Sequence, residues 1–424
     1  MSEDRQWKKI LSWALYDWAN SAFATTVMAG FFPVFFKEYW SAGTSVTLST
    51  FQLGVANSGA SLIVAFLAPL LGAIADCGNT KKRFLFSFAL LGILTTASLY
   101  LVAGGDWKTA VLCYTLGTVG FSGANIFYDS LIVNVAPVRK LDFVSSLGFS
   151  LGYLGGGLLF AVNVLMTLFP AFFGLKDAAG AVRISFLSVA LWWAIFSIPL
   201  LLWVDEPRDA AKEGLWPSVR GGARRLASTL RQIRKLREVF LFLVAYWLYI
   251  DGVDTIIRMA VDYGLSLGFS SRTLLTALLI TQFVGFPAAL LFGRLGEKVG
   301  AKTGIFVGIG VYLGATLWAY FMDRQVEFYA LAGVIGLVQG GVQSLSRSLY
   351  AGIIPPGRAA EFFGFYNMLG KFAAVIGPAL MGWMSLLTGN PRMSIFSVAL
   401  LFFSGAVVLH FVNDGSRKAA GPIN

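Results

Sequence analysis

Asp251, Asp254, Arg258 and Asp262 stand within YIDGVDTIIRMAVDYG, part of an apolar run long enough to cross a bilayer. An acid or base at the centre of a spanning helix costs about 2.5–3.5 kcal/mol, so four of them demand a use. At 100° per residue they fall within an arc of about 80°, and Asp254 and Arg258 have the i,i+4 spacing of a helical ion pair. Such a stripe suits a water-filled cavity or a binding site. Carboxylates beside fixed cations suit a zwitterion, whose carboxylate meets Arg or Lys and whose ammonium meets Asp. A buried carboxyl that gains and loses a cation partner is also a proton carrier.

The same polar pattern recurs in other apolar runs: Asp17 and Asn20, then Asn125 and Asp129, then Gln339, Gln343 and Arg347, and finally Asn367 and Lys371. Arg258, Lys371, Asp251, Asp254, Asn20, Asn367 and Gln343 are the candidate substrate-binding residues. Asp17, Asp129 and Arg347, nearer the ends of their runs, are candidates for proton coupling or gating. Asp129 and Arg347 read equally as a strut that pairs to close one mouth of the cavity. Asp262 is expected at an interface. Trp13, Tyr16, Trp18 and Tyr128 are pocket walls or ordinary packing. His410, the one histidine, is expected as buried packing, and Cys77 and Cys113 as thiols without metal-ligand spacing.

The elements that must position these groups follow from composition. Of 424 residues 57% are hydrophobic and 13% charged, half the charge of an ordinary soluble domain. Apolar runs of roughly 20 residues match the span of the hydrocarbon core. They predict twelve helices near 10–36, 51–75, 84–104, 109–135, 143–168, 184–204, 239–263, 272–293, 303–321, 327–353, 362–387 and 394–412. Lys and Arg divide 23 to 7 between alternate loops, which places both termini in the cytoplasm. That alternation, rather than a basic face, accounts for the net charge of +11 and excludes nucleic acid as a partner. The N-terminus shows no cleavable signal peptide. Residues 1–204 and 239–424 are expected as two six-helix bundles. The linker 205–238 is expected to carry a basic amphipathic helix over 223–237, with Leu226, Leu230, Ile233 and Leu236 on the face toward anionic lipid. A solvated linker is the alternative.

The halves repeat. WALYDWANS (13–21) matches WLYIDGVDT (247–255) at an offset of 234, so Asp17 corresponds to Asp251 and Asn20 to Asp254. NIFYDSLIVNVAP (125–137) matches QSLSRSLYAGIIP (343–355) at an offset of 218, placing Asp129 opposite Arg347. GAIADCGNTKKR (72–83) and GRLGEKVGAKTG (293–304) are a third pair. That pair resembles the loop motif of the major facilitator superfamily. The resemblance implies a conformational latch at Gly72, Asp76 and Lys81 and at Gly293, Arg294, Glu297 and Gly300, with the acid capping a neighbouring helix. The second copy fits better, because the first has Cys77 and Asn79 at positions where the motif has a base and a glycine. GFSLGYLGGG (148–157) resembles the superfamily's antiporter motif, though close helix packing through small residues accounts for its glycines.

WALYDWANSAF, DGVDTIIRMAVDYG and FFGFYNMLGKFAAVIGP are similar to the signatures of the vacuole-effluxer-like branch of that superfamily. The resemblance implies an all-α major facilitator fold, with helices 1, 4, 7 and 10 around one central cavity. Eukaryotic members of the branch are linked to amino-acid release from the vacuole. No P-loop, HExxH or Gly-x-Ser-x-Gly motif is present, so neither an enzyme nor an ATP-driven pump is expected. The expectation is a monomeric secondary transporter without cofactor or metal, moving a small zwitterion or anion, with protons as coupling ion. Amino acids lead the substrate classes, with a lipid or cell-wall fragment as the alternative and a non-transporting receptor as a remote one. Short loops and the absence of N-glycosylation sequons favour a bacterial inner membrane.

Overall fold

The computed structural model describes residues 3–44, 46–78, 80–206, 229, 231–266, 269–388 and 391–413. For some residues in these ranges, Arg258 and Asp262 among them, only the backbone is described. Among the described residues the regular structure is helical, without a strand. We number the long helices α1 (Glu3–Trp40), α2 (Val46–Gly78), α3 (Lys81–Leu101), α4 (Trp107–Val135), α5 (Leu141–Leu168) and α6 (Ala178–Trp203). They continue as α7 (Arg237–Ser266), α8 (Ser271–Val299), α9 (Ala301–Phe321), α10 (Gln325–Ile353), α11 (Ala359–Thr388) and α12 (Ile395–His410). Among the described residues, ten are long and apolar enough to cross a membrane. The other two are α11, with 30 residues, and the shorter apolar α12, with 16.

The sequence sets the helix ends through caps. Asp106, Asp177 and Ser270 accept the backbone N–H three residues on, from Thr109, Gly180 and Thr273, and so satisfy donors that a helix start leaves open. Gly300 separates α8 from α9 at φ +90°, a left-handed conformation that disfavours a side chain. Within α1, Phe23–Phe31 and Phe36–Trp40 wind as wider π-helical turns, a form that is rare and frequent at functional sites. Ala24, Thr25 and Ala29 of the first of these segments line the central cavity.

Early helices pack mainly on one another, as in α1 against α5 and α6 and α3 against α4, and late helices likewise, as in α7 against α11 and α12 and α8 against α10. Contacts between the two groups run through α2–α11, α5–α8, α5–α10 and α4–α11. Glycines permit these approaches. A Cβ on Gly72 would overlap the Ala360 backbone, and one on Gly364 would lie 2.6 Å from the Ala68 carbonyl. Gly148, Gly152, Gly155 and Gly156 of α5 have no room for a Cβ against α1, or at Gly148 against Tyr128, so packing does account for that glycine run. Large apolar side chains remain exposed on α3 (Leu94), α6 (Leu191, Leu202), α9 (Phe321) and α12 (Leu400, Phe403). Such a surface suits hydrocarbon rather than water.

Three expectations need correction. His410 is exposed at the end of α12, where its carbonyl accepts from Lys302, instead of packing inside. In the linker, Leu226 and Leu230 lie outside the described residues, while Ile233 is buried and Leu236 half-buried against the protein, not turned to lipid. The better-matching latch copy is also the less used. Glu297 is exposed, whereas Asp76 of the poorer copy accepts the Glu361 N–H at 2.8 Å and pairs with Lys81 at 2.9 Å. Asp76 therefore caps the start of α11, where three or four N–H groups lack helical partners.

Candidate functional site

The polar residues singled out in separate runs come together. Asp17, Asn20, Asn125 and Asp129 from the early helices and Asp254, Gln339, Gln343, Arg347, Asn367 and Lys371 from the late ones line one cavity of about 490 Å³. Helical periodicity on α1, α4, α7, α10 and α11 aims them at a common centre.

A buried cluster around Arg347 forms part of the cavity wall. Its guanidinium lies 3.0 Å from Asp129 on α4 and 3.5 Å from Asp17 on α1. It also donates to the Ser145 hydroxyl at 2.9 Å and the Ser145 carbonyl at 2.8 Å on α5. Its side chain is only 3% exposed. The faces of Trp13, Tyr128 and Phe149 lie 4.4–5.4 Å from the guanidinium carbon, within cation–π range. Five donors in a rigid fork let one arginine join three helices this way, which lysine could not copy.

The acids are held as firmly. Tyr128 donates its hydroxyl to Asp17 at 2.8 Å, and Asn367 donates to the second oxygen of Asp129 at 3.1 Å. Gly148 is required beneath the cluster, since a Cβ there would lie 2.8 Å from Asp17 and 3.1 Å from Arg347. A serine seam extends the contact between α5 and α10: Ser145 and Ser146 meet Ser344, and Ser348 donates to Asp142 at 2.5 Å.

Farther along the cavity, Asn20 donates to Asn125 at 2.6 Å, and Tyr246 and Tyr366 stack with ring centres 4.0 Å apart. Lys371 lines the wall one helical turn beyond Asn367 and lies within electrostatic reach of Asp129. The rest of the lining is largely apolar, including Ile257, Leu278, Phe328 and Ile335.

One member of the expected stripe parts company with it. Asp251 does not line the cavity. It is 1% exposed between α7 and α11, accepting the Gly377 N–H at 2.8 Å and the Thr255 hydroxyl at 3.4 Å. Arg258 sits on α7 one turn past Asp254, and its side chain, like that of Asp262, lies outside the described residues. Of the aromatics, Tyr128 reaches the cavity. Trp13 and Tyr16 are buried behind it, and Trp18 stacks on Trp192.

Ser145, Ser348, Tyr153 and Tyr366 were not singled out for the Arg347 cluster or the cavity by sequence reasoning. Serines and tyrosines in apolar helices carry no charge to betray them. The signal available was the tyrosine and serine content of the same runs.

Comparison with known proteins agrees with this architecture. The family model described as "Vacuole effluxer Atg22 like" matches residues 41–136 and 133–420. The chain is 40% identical over 405 residues to an MFS-type transporter of Bacillus subtilis, YxiO, covering 95% of this chain and 94% of that one. The human organic anion transporter MFSD10 superposes with a TM-score of 0.73 at 14% identity, over 96% of this chain and all of that one. The proton:xylose symporter XylE superposes with a TM-score of 0.71 at 15% identity, over 97% of each chain. At those identities the likeness establishes the fold. Family model, relative and fold agree: the chain is a multi-pass membrane transporter of the major facilitator superfamily and belongs to the vacuole effluxer Atg22-like family.

Proposed function

We propose that the protein carries a small zwitterionic or anionic solute, an amino acid foremost, by alternating access of two six-helix halves, 1–204 and 239–424, joined by the linker 205–238. In this reading all twelve helices cross the membrane, both termini are cytoplasmic and the protein acts as a monomer. One observation carries the reading: carboxylates from both groups of helices and Lys371 line one cavity, with the buried Arg347 cluster in its wall.

A carboxylate of the solute would be drawn to Lys371 and Arg258, an ammonium to Asp254. Asn20, Gln343 and Asn367 supply donors and acceptors that orient it without fixed charge. Asp17, Asp129 and Arg347 form the gate. For that gate to open, the guanidinium must exchange partners, and the carboxylates it leaves then need either substrate or protons. That requirement is the basis for proton coupling. The 40% identity to a Bacillus protein supports a bacterial plasma (inner) membrane as its location.

Purified protein in proteoliposomes, assayed for uptake of labelled amino acids with and without an imposed pH gradient, tests the reading. Gradient-driven accumulation of at least one amino acid is expected. Equal rates with and without the gradient would remove the proton, and no flux of any amino acid would remove the substrate class.

A further inference from the structure

The segment 231–237, which leads into α7, presents two different faces. Arg231, Arg234, Lys235 and Arg237 are all exposed, four cations within seven residues. Among the described residues none of the four takes part in an ion pair. Glu238, next in sequence, is engaged elsewhere, accepting the Asn413 N–H. Arg231 stands three and four residues before Arg234 and Lys235, which sets these three cations side by side on the helical turn 231–235, where like charges repel.

The opposite face is bound to the protein. Ile233 is buried, Arg358 donates to Gln232 and to Thr229, and Thr229 donates to Glu361. Arg358 pairs with Glu361 at 2.9 Å, and the Glu361 carboxylate is fully buried. The backbone N–H of this same Glu361 is the one Asp76 caps from α2. The linker therefore grips the start of α11 at the point where an early helix and a late helix touch through Gly72.

We propose that the cationic face of 231–237 docks on anionic phospholipid headgroups of the adjoining leaflet, and that this docking steadies the α2–α11 junction in its closed form. Location supports the assignment, because Arg237 begins the apolar span Arg237–Ile257 and so sets the segment at the membrane boundary. Its apolar residues are already used against the protein, which leaves electrostatic attraction to headgroups rather than insertion among acyl chains. Anionic headgroups relieve the mutual repulsion of these cations and thereby favour the geometry in which Thr229 and Gln232 hold Arg358. The inference rests on the proposed transport cycle only in requiring that the junction open and close.

The test uses full-length protein with Cys77→Ser and Cys113→Ser, spin-labelled at Arg83→Cys and Pro356→Cys, both exposed, at the starts of α3 and of the turn before α11. It is placed in nanodiscs of phosphatidylcholine alone or with one third phosphatidylglycerol. The anionic lipid should raise the ratio of short-distance to long-distance populations at least twofold, and 0.5 M salt should reverse the rise. Arg231→Gln, Arg234→Gln and Lys235→Gln together should abolish the response, while exchange of Lys for Arg and Arg for Lys at the same positions should keep it. A response equal in the Gln variant, insensitive to salt, or reproduced by soluble glycerophosphate would overturn the proposal. Two populations blind to lipid charge overturn it alone, whereas one population in every lipid overturns the moving junction as well.

Discussion

Arg347 on α10 and Asp129 on α4 meet at 3.0 Å, and the same guanidinium reaches Asp17 on α1 at 3.5 Å. One cation thus serves two carboxylates that stand at repeat-related and neighbouring places in the fold. Removing one member of a buried pair costs about 3–5 kcal/mol, because it leaves charge without a partner. Arg347→Gln should therefore depopulate the closed state and widen the distance between labels at positions 83 and 356. Neutralising both acids as well should restore part of the closure. An unchanged distance in the single variant would deny Arg347 its role as a gate.

Gly72 offers a steric test of the same closure. A Cβ there overlaps backbone atoms of Ala360, which cannot swing aside as a side chain can. Gly72→Ala should force α2 and α11 apart and cut transport at least tenfold. Gly59→Ala is the control, with nothing within 4 Å of its added methyl. Ala is favoured over Gly within a helix by about 1 kcal/mol, so the control should melt at the same temperature or higher. Equal behaviour of the two variants would dismiss the close approach.

Charge within the cavity is tested separately. Lys371→Gln and Arg258→Gln should each abolish uptake while leaving a monodisperse, cooperatively melting protein in detergent. Wild-type flux in both would show that the cavity does not use these cations for the solute.

The α7–α11 contact makes a stability prediction. A Cβ on Gly377 overlaps the Thr255 hydroxyl and lies 2.6 Å from Asp251. Overpacking of this kind costs about 1–3 kcal/mol, so Gly377→Ala should lower the melting temperature, and Thr255→Ala should recover part of the loss. Failure of the second substitution to help would point to Asp251 as the greater obstacle.

A pH dependence is expected outside the membrane. The hydrogen bond from Lys9 holds the Asp205 carboxyl below its usual range, with the charges of Lys9, Arg5 and Lys82 adding to the effect. A depressed folded value means the stabilisation is present above the unfolded value and lost as pH falls through the folded one. The Asp205 side chain is 60% exposed, so solvent screening holds the effect to at most about 1 kcal/mol. Asp205→Asn should melt slightly lower than wild type at pH 7 and equally at pH 3. A difference that persists at pH 3 would assign the loss to something other than this ion pair.

Much of the cavity was legible in the sequence because charge inside an apolar helix is costly and therefore informative. Asp129 with Arg347 and Asn367 with Lys371 could be named from that cost, and the repeat linked Asp17 to Asp251. The repeat did not carry their environments over. Asp17 and Ser21 pack on Gly148 and Gly152 of α5, and Asp251 and Thr255 pack on Gly377 of α11, yet only Asp17 reaches Arg347. Nothing equivalent could be read from the offset, since the position opposite Arg347 is Asp129 rather than a second arginine. The latch shows the same limit. Motif likeness favoured Glu297, but capping depends on whether a helix start lies within reach, and Asp76 has Glu361 where Glu297 is exposed.

By itself the sequence determined the class of the protein. Hydrophobic runs of bilayer length, loops with alternating basic content and a repeat across the linker leave little else that such a chain can be, because burial of backbone polar groups in lipid forces helices. Helical periodicity also determined which polar residues share a face. Which faces meet was left to the tertiary structure. Contacts between residues hundreds of positions apart depend on how α2, α4, α5, α10 and α11 pack, and that packing is set by glycine clearances and shape rather than by local propensity. It made Arg347 the hub of a buried cluster that ties α10 to α1, α4 and α5, withdrew Asp251 from the cavity, and turned the cations of 231–237 outward.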